Sequence, residues 1–288
     1  MFAGLAYAGG GNRCYWQGGF YETVAPRIGL KPRLVVGASA GAFAMLYTAL
    51  GLGPTVRELV REACIGRTSE IDWPAFRRGG RLFPVGELYE QMLAQLFTAD
   101  RLAALQARAD FLVAVSRPPR FWPLPVAAAL GIGAYQLEKR LHRPVHPTAG
   151  RRLGFVPDLV RIADCATPAE LVAALMASAS VPPFMPGGLV AGRAALDGGL
   201  VDSAPAWALA ELEQQGEPTL VLLTRPFAQV PEVANRTYTG PSETIPVSQF
   251  TIRNWDGIRF AYELGIRDGE AFLRSLESRQ VRKASTAP

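Results

Sequence analysis

The sequence predicts a three-layer α/β sandwich with a mainly parallel central sheet, and three observations carry that prediction. Short apolar runs (Phe2–Tyr7, Arg33–Val36, Phe111–Ser116 and Thr219–Thr224) alternate with helix-like segments. The runs are apolar throughout rather than alternately polar, as strands covered by helices on both faces are. Two of them, Phe2–Tyr7 and Arg33–Val36, pass directly into Gly-rich turns followed by a helical pattern.

In chain order, Phe2–Tyr7 reads as a buried first strand and Arg13–Ala25 as a helix ended by Pro26. Arg33–Val36 is the second strand, followed by an Ala-rich helix to Leu50. Pro54 opens a helix that continues through Thr55–Cys64. Val85–Phe97 and Asp100–Arg108 read as helices, Phe111–Ser116 as a strand, and Asp158–Asp164 as a further strand. Thr167-Pro168-Ala169-Glu170 has a capping Thr, Pro in the first turn and Glu three residues on, which is a helix start. Ala195-Leu196 enters the turn Asp197-Gly198-Gly199. Pro205 then opens a helix to Gln215, and Thr219–Thr224 is an apolar strand.

The 288 residues are expected to form a single catalytic domain, with no repeat or linker and a polar, frayed tail from about residue 279. With 49% hydrophobic and 19% charged residues, the composition excludes a disordered chain. The three cysteines, Cys14, Cys64 and Cys165, are scattered and lack C-x-x-C spacing, so neither a disulfide framework nor a zinc site is indicated and a reducing compartment is expected. Met1–Leu5 has no basic segment followed by a long apolar one and does not read as a signal peptide. The expected location is cytoplasmic, with peripheral contact to a membrane.

That contact is suggested by the segment 117–152, which reads as an irregular basic and apolar insertion. It holds seven basic residues (Arg117, Arg120, Lys139, Arg140, Arg143, Arg151, Arg152) against Glu138, a net +6 that leaves the rest of the +5 chain at −1. Phe121–Leu137 within it carries no charge. It is shorter than the roughly 20 residues of a membrane span and is interrupted by prolines and glycines. The alternatives are a buried helix, or an interfacial lid with Trp122 and Tyr135 at headgroup level and the basic residues on anionic lipid. No nucleic-acid motif accompanies the charge, and no nucleic-acid partner is expected. The sequence is silent on oligomeric state.

Three motifs carry chemistry. Gly37-Ala38-Ser39-Ala40-Gly41 stands between a strand and a helix, as in a nucleophile elbow, where small flanking residues permit a sharp turn that exposes the serine. A Gly-rich βα turn is the ordinary alternative. Gly9-Gly10-Gly11-Asn12-Arg13 also joins a strand to a helix, and successive glycines there can aim N–H groups at one oxyanion. A dinucleotide loop is its rival, weakened because Cys14 stands where that pattern needs Gly. Asp197-Gly198-Gly199, with Asp202 close behind, puts a carboxylate on a Gly-rich turn.

The two histidines limit the mechanism. A hydrolase triad in the order Ser, acid, His needs a His after Asp197, and one in the order His, Asp, Ser needs a His before Ser39; neither exists. His142 and His146 lie among prolines in the basic segment and read as solvated surface residues. A serine activated directly by a carboxylate is the economical arrangement that remains.

Taken together, Ala8–Arg13, Leu34–Ala42, Ala177-Ser178-Ala179-Ser180-Val181-Pro182 with Phe184 and Pro186, and Leu196–Asp202 with Pro205 resemble the four motifs of the patatin-like phospholipase family, in order, over most of the first 225 residues. The resemblance implies a patatin-like variant of the α/β-hydrolase architecture. It also implies a catalytic Ser39–Asp197 dyad, an oxyanion loop of Gly9, Gly10, Gly11, Asn12 and Arg13, an elbow framed by Gly37 and Gly41, and an Asp loop with Gly198 and Gly199. The substrate implied is a phospholipid or other acyl lipid, cut by phospholipase A-type ester hydrolysis with no metal and no cofactor. Acyl transfer to a lipid acceptor, or a catalytically silent lipid-binding scaffold, are the alternatives. The family has Gly where Cys14 stands; a left-handed backbone there would cost a Cys about 1 kcal/mol or more.

Overall fold

The computed structural model describes residues 2–285, with side chains through residue 278. Eight strands form the sheet: β1 (Gly4–Tyr7), β2 (Leu34–Ala38), β3 (Asp110–Arg117), β4 (Val156–Arg161), β5 (Gly188–Val190), β6 (Arg193–Asp197), β7 (Thr219–Leu222) and β8 (Arg236–Thr239). Their order is β5-β6-β3-β2-β1-β7-β8, with β4 also paired to β3. The five strands β3-β2-β1-β7-β8 are parallel, and β4, β5 and β6 add antiparallel pairs.

The helices are α1 (Tyr15–Ile28), α2 (Ala40–Ala49), α3 (Gly53–Cys64), α4 (Trp73–Arg77), α5 (Val85–Leu96), α6 (Ala99–Gln106), α7 (Leu124–Leu141), α8 (Ala149–Arg152), α9 (Pro168–Ser178), α10 (Ala210–Gln214) and α11 (Trp255–Ser285). The sheet is mostly parallel and flanked by helices, the patatin-like three-layer arrangement. One core lies between the sheet and α1, α2, α9 and α11, around Trp16, Phe20, Leu46, Leu171 and Leu264. A second covers the opposite sheet face around Val36, Val221 and Leu209.

Several expectations are modified. Helix α1 continues through Pro26 to Ile28 and ends at Gly29, whose φ of 58° makes the left-handed cap. A proline in the last turn removes a single backbone donor, so the helix survives it. The expected strand at Asp158–Asp164 ends at Arg161, and a 3₁₀ turn takes Ile162–Asp164. The start of α9 is as the sequence indicates. The Thr167 side chain accepts from the Glu170 N–H, and the Glu170 carboxylate accepts from the Ala166 N–H.

The segment 117–152 is ordered around α7 rather than irregular. Pro125 sits in the first turn of α7, where no donor is lost. Gly131 lies against Phe155, with no room for a side chain between them. Helix α11 has no counterpart in the sequence reading, and it carries the backbone through the expected frayed region to Ser285; Thr286–Pro288 lie outside the described residues. It crosses α1 at Gly19 and Gly265, each packed on backbone of the other helix, and Trp16 donates to Asp268 at 2.7 Å. Among the described residues, no helix is long and apolar enough to cross a membrane.

Candidate active site

The register of β3 explains how two distant motifs meet. Strand β4 takes one edge of β3, from Leu112 to Arg117. Strand β2 takes the other edge, ending where Ala38 faces Ala114. Strand β6 pairs with Val115 and Ser116, whose β4 edge is already filled. It therefore continues the edge that β2 vacates, and Asp197, opposite Val115, arrives where the chain of β2 turns away at Ser39.

That turn is sharp. Ser39 has φ 54° and ψ −137°, a conformation that non-glycine residues rarely adopt and that is a mark of functional sites. Side chains at the flanking positions would collide with the fold. A Cβ on Gly37 would stand 2.5 Å from the Cα of Ala42, and one on Gly41 would stand 2.6 Å from the Tyr7 carbonyl. The Ser39 N–H donates to Ser178 Oγ at 2.8 Å, and the Ser178 hydroxyl donates to the Ala114 carbonyl at 2.7 Å. Ser178, fully buried at the end of α9, thus ties the elbow to β3.

Asp197 is buried, and Gly199 donates its N–H to Asp197 Oδ1 at 2.7 Å. Burial pushes the Asp197 carboxyl up to about 6, against hydrogen bonding from the Ser39 side chain and the Gly199 N–H that pulls it down. A carboxylate in that range can accept a proton near neutral pH and return it.

The members of the glycine loop divide by what their N–H groups do. Gly9 donates to Ser203 O at 2.7 Å and Asn12 to Gln249 O at 3.1 Å. Among the described residues, the N–H groups of Gly10 and Gly11 have no hydrogen-bond partner. Gly11 has φ 57° and lies against the Gln249 backbone, so no other residue fits there. The Asn12 amide donates to Thr251 O at 2.7 Å and Ser248 O at 3.3 Å, which fastens the strap 245–252 over the site rather than facing it. Arg13 Nε donates back to Gly10 O at 3.3 Å. Cys14 has φ −67°, so it carries no left-handed strain. Gly198 packs on the Ala114 carbonyl of β3.

Gly9, Gly10, Gly11, Ser39, Asp197 and Gly199 share one pocket, roofed by Ile132, Tyr135 and Gln136 of α7 and by Gln249 and Phe250 of the strap. From Ser39 a narrow apolar cavity of about 80 Å³ extends between Phe43, Tyr47, Tyr89 and Met185. Among the described residues, no three His, Cys, Asp or Glu are grouped to hold a metal ion.

The sequence reading missed several supports. His146 is not a solvated residue: its Nδ1 lies 2.9 Å from Asp202 and its Nε2 2.8 Å from the Tyr238 hydroxyl. His142 is exposed, as expected. Gln17, fully buried, donates to both Ala8 O and Leu222 O at 2.9 Å and so positions the start of the glycine loop. Arg117 is buried and spends its charge on Asp158 at 2.7 Å, which removes it from the surface charge of its segment.

A serine on a sharp strand-to-helix turn of a mostly parallel sheet is the arrangement of a nucleophile elbow. Residues 5–210 match the model of the patatin-like phospholipases, and the chain belongs to that family. The family supports lipid acyl hydrolase activity in general and lipids as substrates. No curated protein matches the chain.

Proposed function

We propose that the chain is a phospholipase A-type serine lipid acyl hydrolase working through Ser39 and Asp197. The observation that carries this is the delivery of the buried Asp197 carboxylate by β6 to the turn at the end of β2. Asp197 takes the Ser39 hydroxyl proton as Oγ attacks the acyl carbonyl. The free N–H groups of Gly10 and Gly11 hold the oxyanion, each such donor being worth about 3 kcal/mol in the transition state. The protonated Asp197 then gives its proton to the departing alcohol, leaving an acyl-enzyme. Water attacks that ester as Asp197 takes its proton, and Asp197 returns the proton to Ser39 Oγ as the acyl–oxygen bond breaks and the fatty acid leaves. The narrow cavity beyond Phe43 and Tyr89 receives the start of the acyl chain.

Helix α7 supplies the contact with the lipid phase. Its inner face, Ala127, Ala128 and Gly131, packs on Phe155 and Leu200. Its outer face exposes Val126, Leu130, Leu137 and Leu141, spaced so that they form one stripe, with Phe121 exposed just before the helix. Arg140, Arg143, Arg151 and Arg152 are exposed on the same segment, so an anionic lipid surface is the partner.

A fluorophosphonate probe tests the chemistry. It should label the peptide containing Ser39 and leave Ser39→Ala unlabelled. Labelling of Ser178 or Ser180 instead would transfer the role to another serine. Mass spectrometry of a lipid mixture incubated with the protein should show free fatty acid. Products in which the acyl group has moved to an added lysolipid would make the chain an acyltransferase.

A further inference from the structure

Beside the catalytic pocket lies an open cavity of about 990 Å³ that the proposed chemistry does not use. Arg13, Arg143, Arg225, His142 and His146 line it, and no carboxylate does. Among the described residues, none of Arg13, Lys139, Arg143 and Arg225 forms an ion pair. Glu138, next to Lys139, and Asp202, which faces His146, are committed elsewhere. Glu138 accepts from the N–H groups of Thr148 and Ala149, and Asp202 accepts from His146 and the Ala204 N–H.

Arg225 and Arg13 are held in place, and Arg143 is exposed at the rim. Arg225 Nη2 donates to Pro144 O at 3.0 Å, and its guanidinium lies 4.5 Å from the centre of the Phe227 ring. The preceding residue, Thr224, donates to Gly9 O at 2.9 Å, and Arg13 donates to Gly10 O. The cluster is therefore fastened to the same backbone that carries the free N–H groups of Gly10 and Gly11. Its charge is uncompensated: burial, with Arg13 and Arg225 nearby, lowers the Lys139 ammonium to about 8.

We propose that this cavity binds the phosphate of a phospholipid headgroup, through Arg225 and Arg143, while the acyl ester of the same molecule lies at Ser39. The ester half of this statement rests on the hydrolase reading; the phosphate half does not. Guanidinium groups match phosphate oxygens in pairs, and one fixed as Arg225 is loses little freedom on binding. A broad, open, basic cavity suits a hydrated headgroup, whereas the acyl chain has the separate apolar cavity at Phe43 and Tyr89. In a glycerophospholipid the phosphate and the ester hang from one three-carbon unit, so adjoining sites for the two suit a single molecule.

The test uses the full chain in neutral detergent micelles with two probes. Calorimetry measures binding of a dialkyl-ether phosphatidic acid, which cannot be hydrolysed, and of inorganic phosphate. Hydrolysis is compared between diacyl phosphatidic acid and a diacylglycerol of the same chains. Arg225→Gln and Arg143→Gln should each weaken ether-lipid binding and phosphatidic acid turnover about tenfold or more, with diacylglycerol turnover unchanged. Arg225→Lys should keep part of the binding. Equal losses on both substrates, or unchanged ether-lipid binding, would overturn the proposal. So would binding of inorganic phosphate without the ether lipid, which would make this a free-phosphate site. A chain that binds the ether lipid through Arg225 yet hydrolyses neither substrate would keep the phosphate site and dismiss the hydrolase reading.

Discussion

The floor and the roof of the catalytic pocket are built on different principles. The floor comprises the glycine loop, the elbow and the Asp197 turn, and nearly every polar group in it is tied to its neighbours. Ser178 holds the Ser39 N–H, Gly199 holds Asp197, and Gln17 holds the strand end before Gly9. The roof, α7, is anchored by small residues on one side and leaves Val126, Leu130, Leu137 and Leu141 in water on the other. A surface of that kind has apolar area still to bury. The contrast separates two tasks. On the proposed reading, the floor holds the groups that break the ester bond, and the roof faces the lipid.

Substitutions in the floor should act on chemistry with any ester. Ser39→Ala should lower kcat by about 10⁴-fold or more on a short soluble ester, and adding Asp197→Asn should make it no worse, since the two act as one unit. Circular dichroism should show the fold intact. Residual turnover above a tenth of wild type in Asp197→Asn would remove that residue from the mechanism.

Asp197→Asn has a second, opposite effect. The folded carboxyl titrates at about 6 instead of its ordinary 3.8, so the folded state binds the proton more tightly than the unfolded one. Stability is therefore lost as pH rises from about 4 to 6, and the penalty is fully present at neutral pH, up to about 3 kcal/mol. The Asn variant should melt at a higher temperature than wild type at pH 7 and show little difference at pH 4. Wild-type turnover, which needs the ionised carboxylate, should fall as pH drops through about 6.

Gly11→Ala should reduce kcat by about 10²-fold or more, because the backbone must leave its left-handed geometry and move one oxyanion donor. The roof should behave otherwise. Leu130→Asp with Leu137→Asp should weaken co-sedimentation with anionic vesicles about tenfold while leaving hydrolysis of a soluble ester within twofold of wild type. Equal loss on both would mean that α7 supports the floor rather than a lipid surface. The smallest effect is expected for His142→Ala, an exposed residue, which should be active and as stable as wild type to within about 0.5 kcal/mol.

Much of the floor was legible in the sequence because its constraints are local. A serine between glycines, or a Gly-rich loop after a strand, announces a backbone requirement within a few residues. The tie from Ser178 to the elbow, the strap that Asn12 fastens, and the seat of His146 between Asp202 and Tyr238 are contacts between segments far apart in the chain. Nothing in the local pattern encodes them. Helix α11 was hidden for another reason. Its apolar face, Ile258, Ala261, Leu264 and Leu273, is interrupted by Gly265 and Gly269 where it meets α1, and glycines within a helical pattern read as breaks. The roof was legible in composition but not in conformation, since prolines at the first turn and glycines at a close contact look the same in sequence as prolines and glycines in a loop.

The sharing of one β3 edge by β2 and β6 bears on how such a chain can change over evolutionary time. Ser39 and Asp197 are both measured off the same strand, so the long segments between them can lengthen or shorten without altering their separation. Two residue pairs, Val115 with Asp197 and Ser116 with Leu196, hold the measurement. A one-residue slip of β6 would carry the carboxylate to the other face of the sheet. Insertions and deletions in the excursions from 50 to 109 and from 118 to 150 should therefore leave the Ser39–Asp197 separation unchanged, whereas any within 193–199 should alter it.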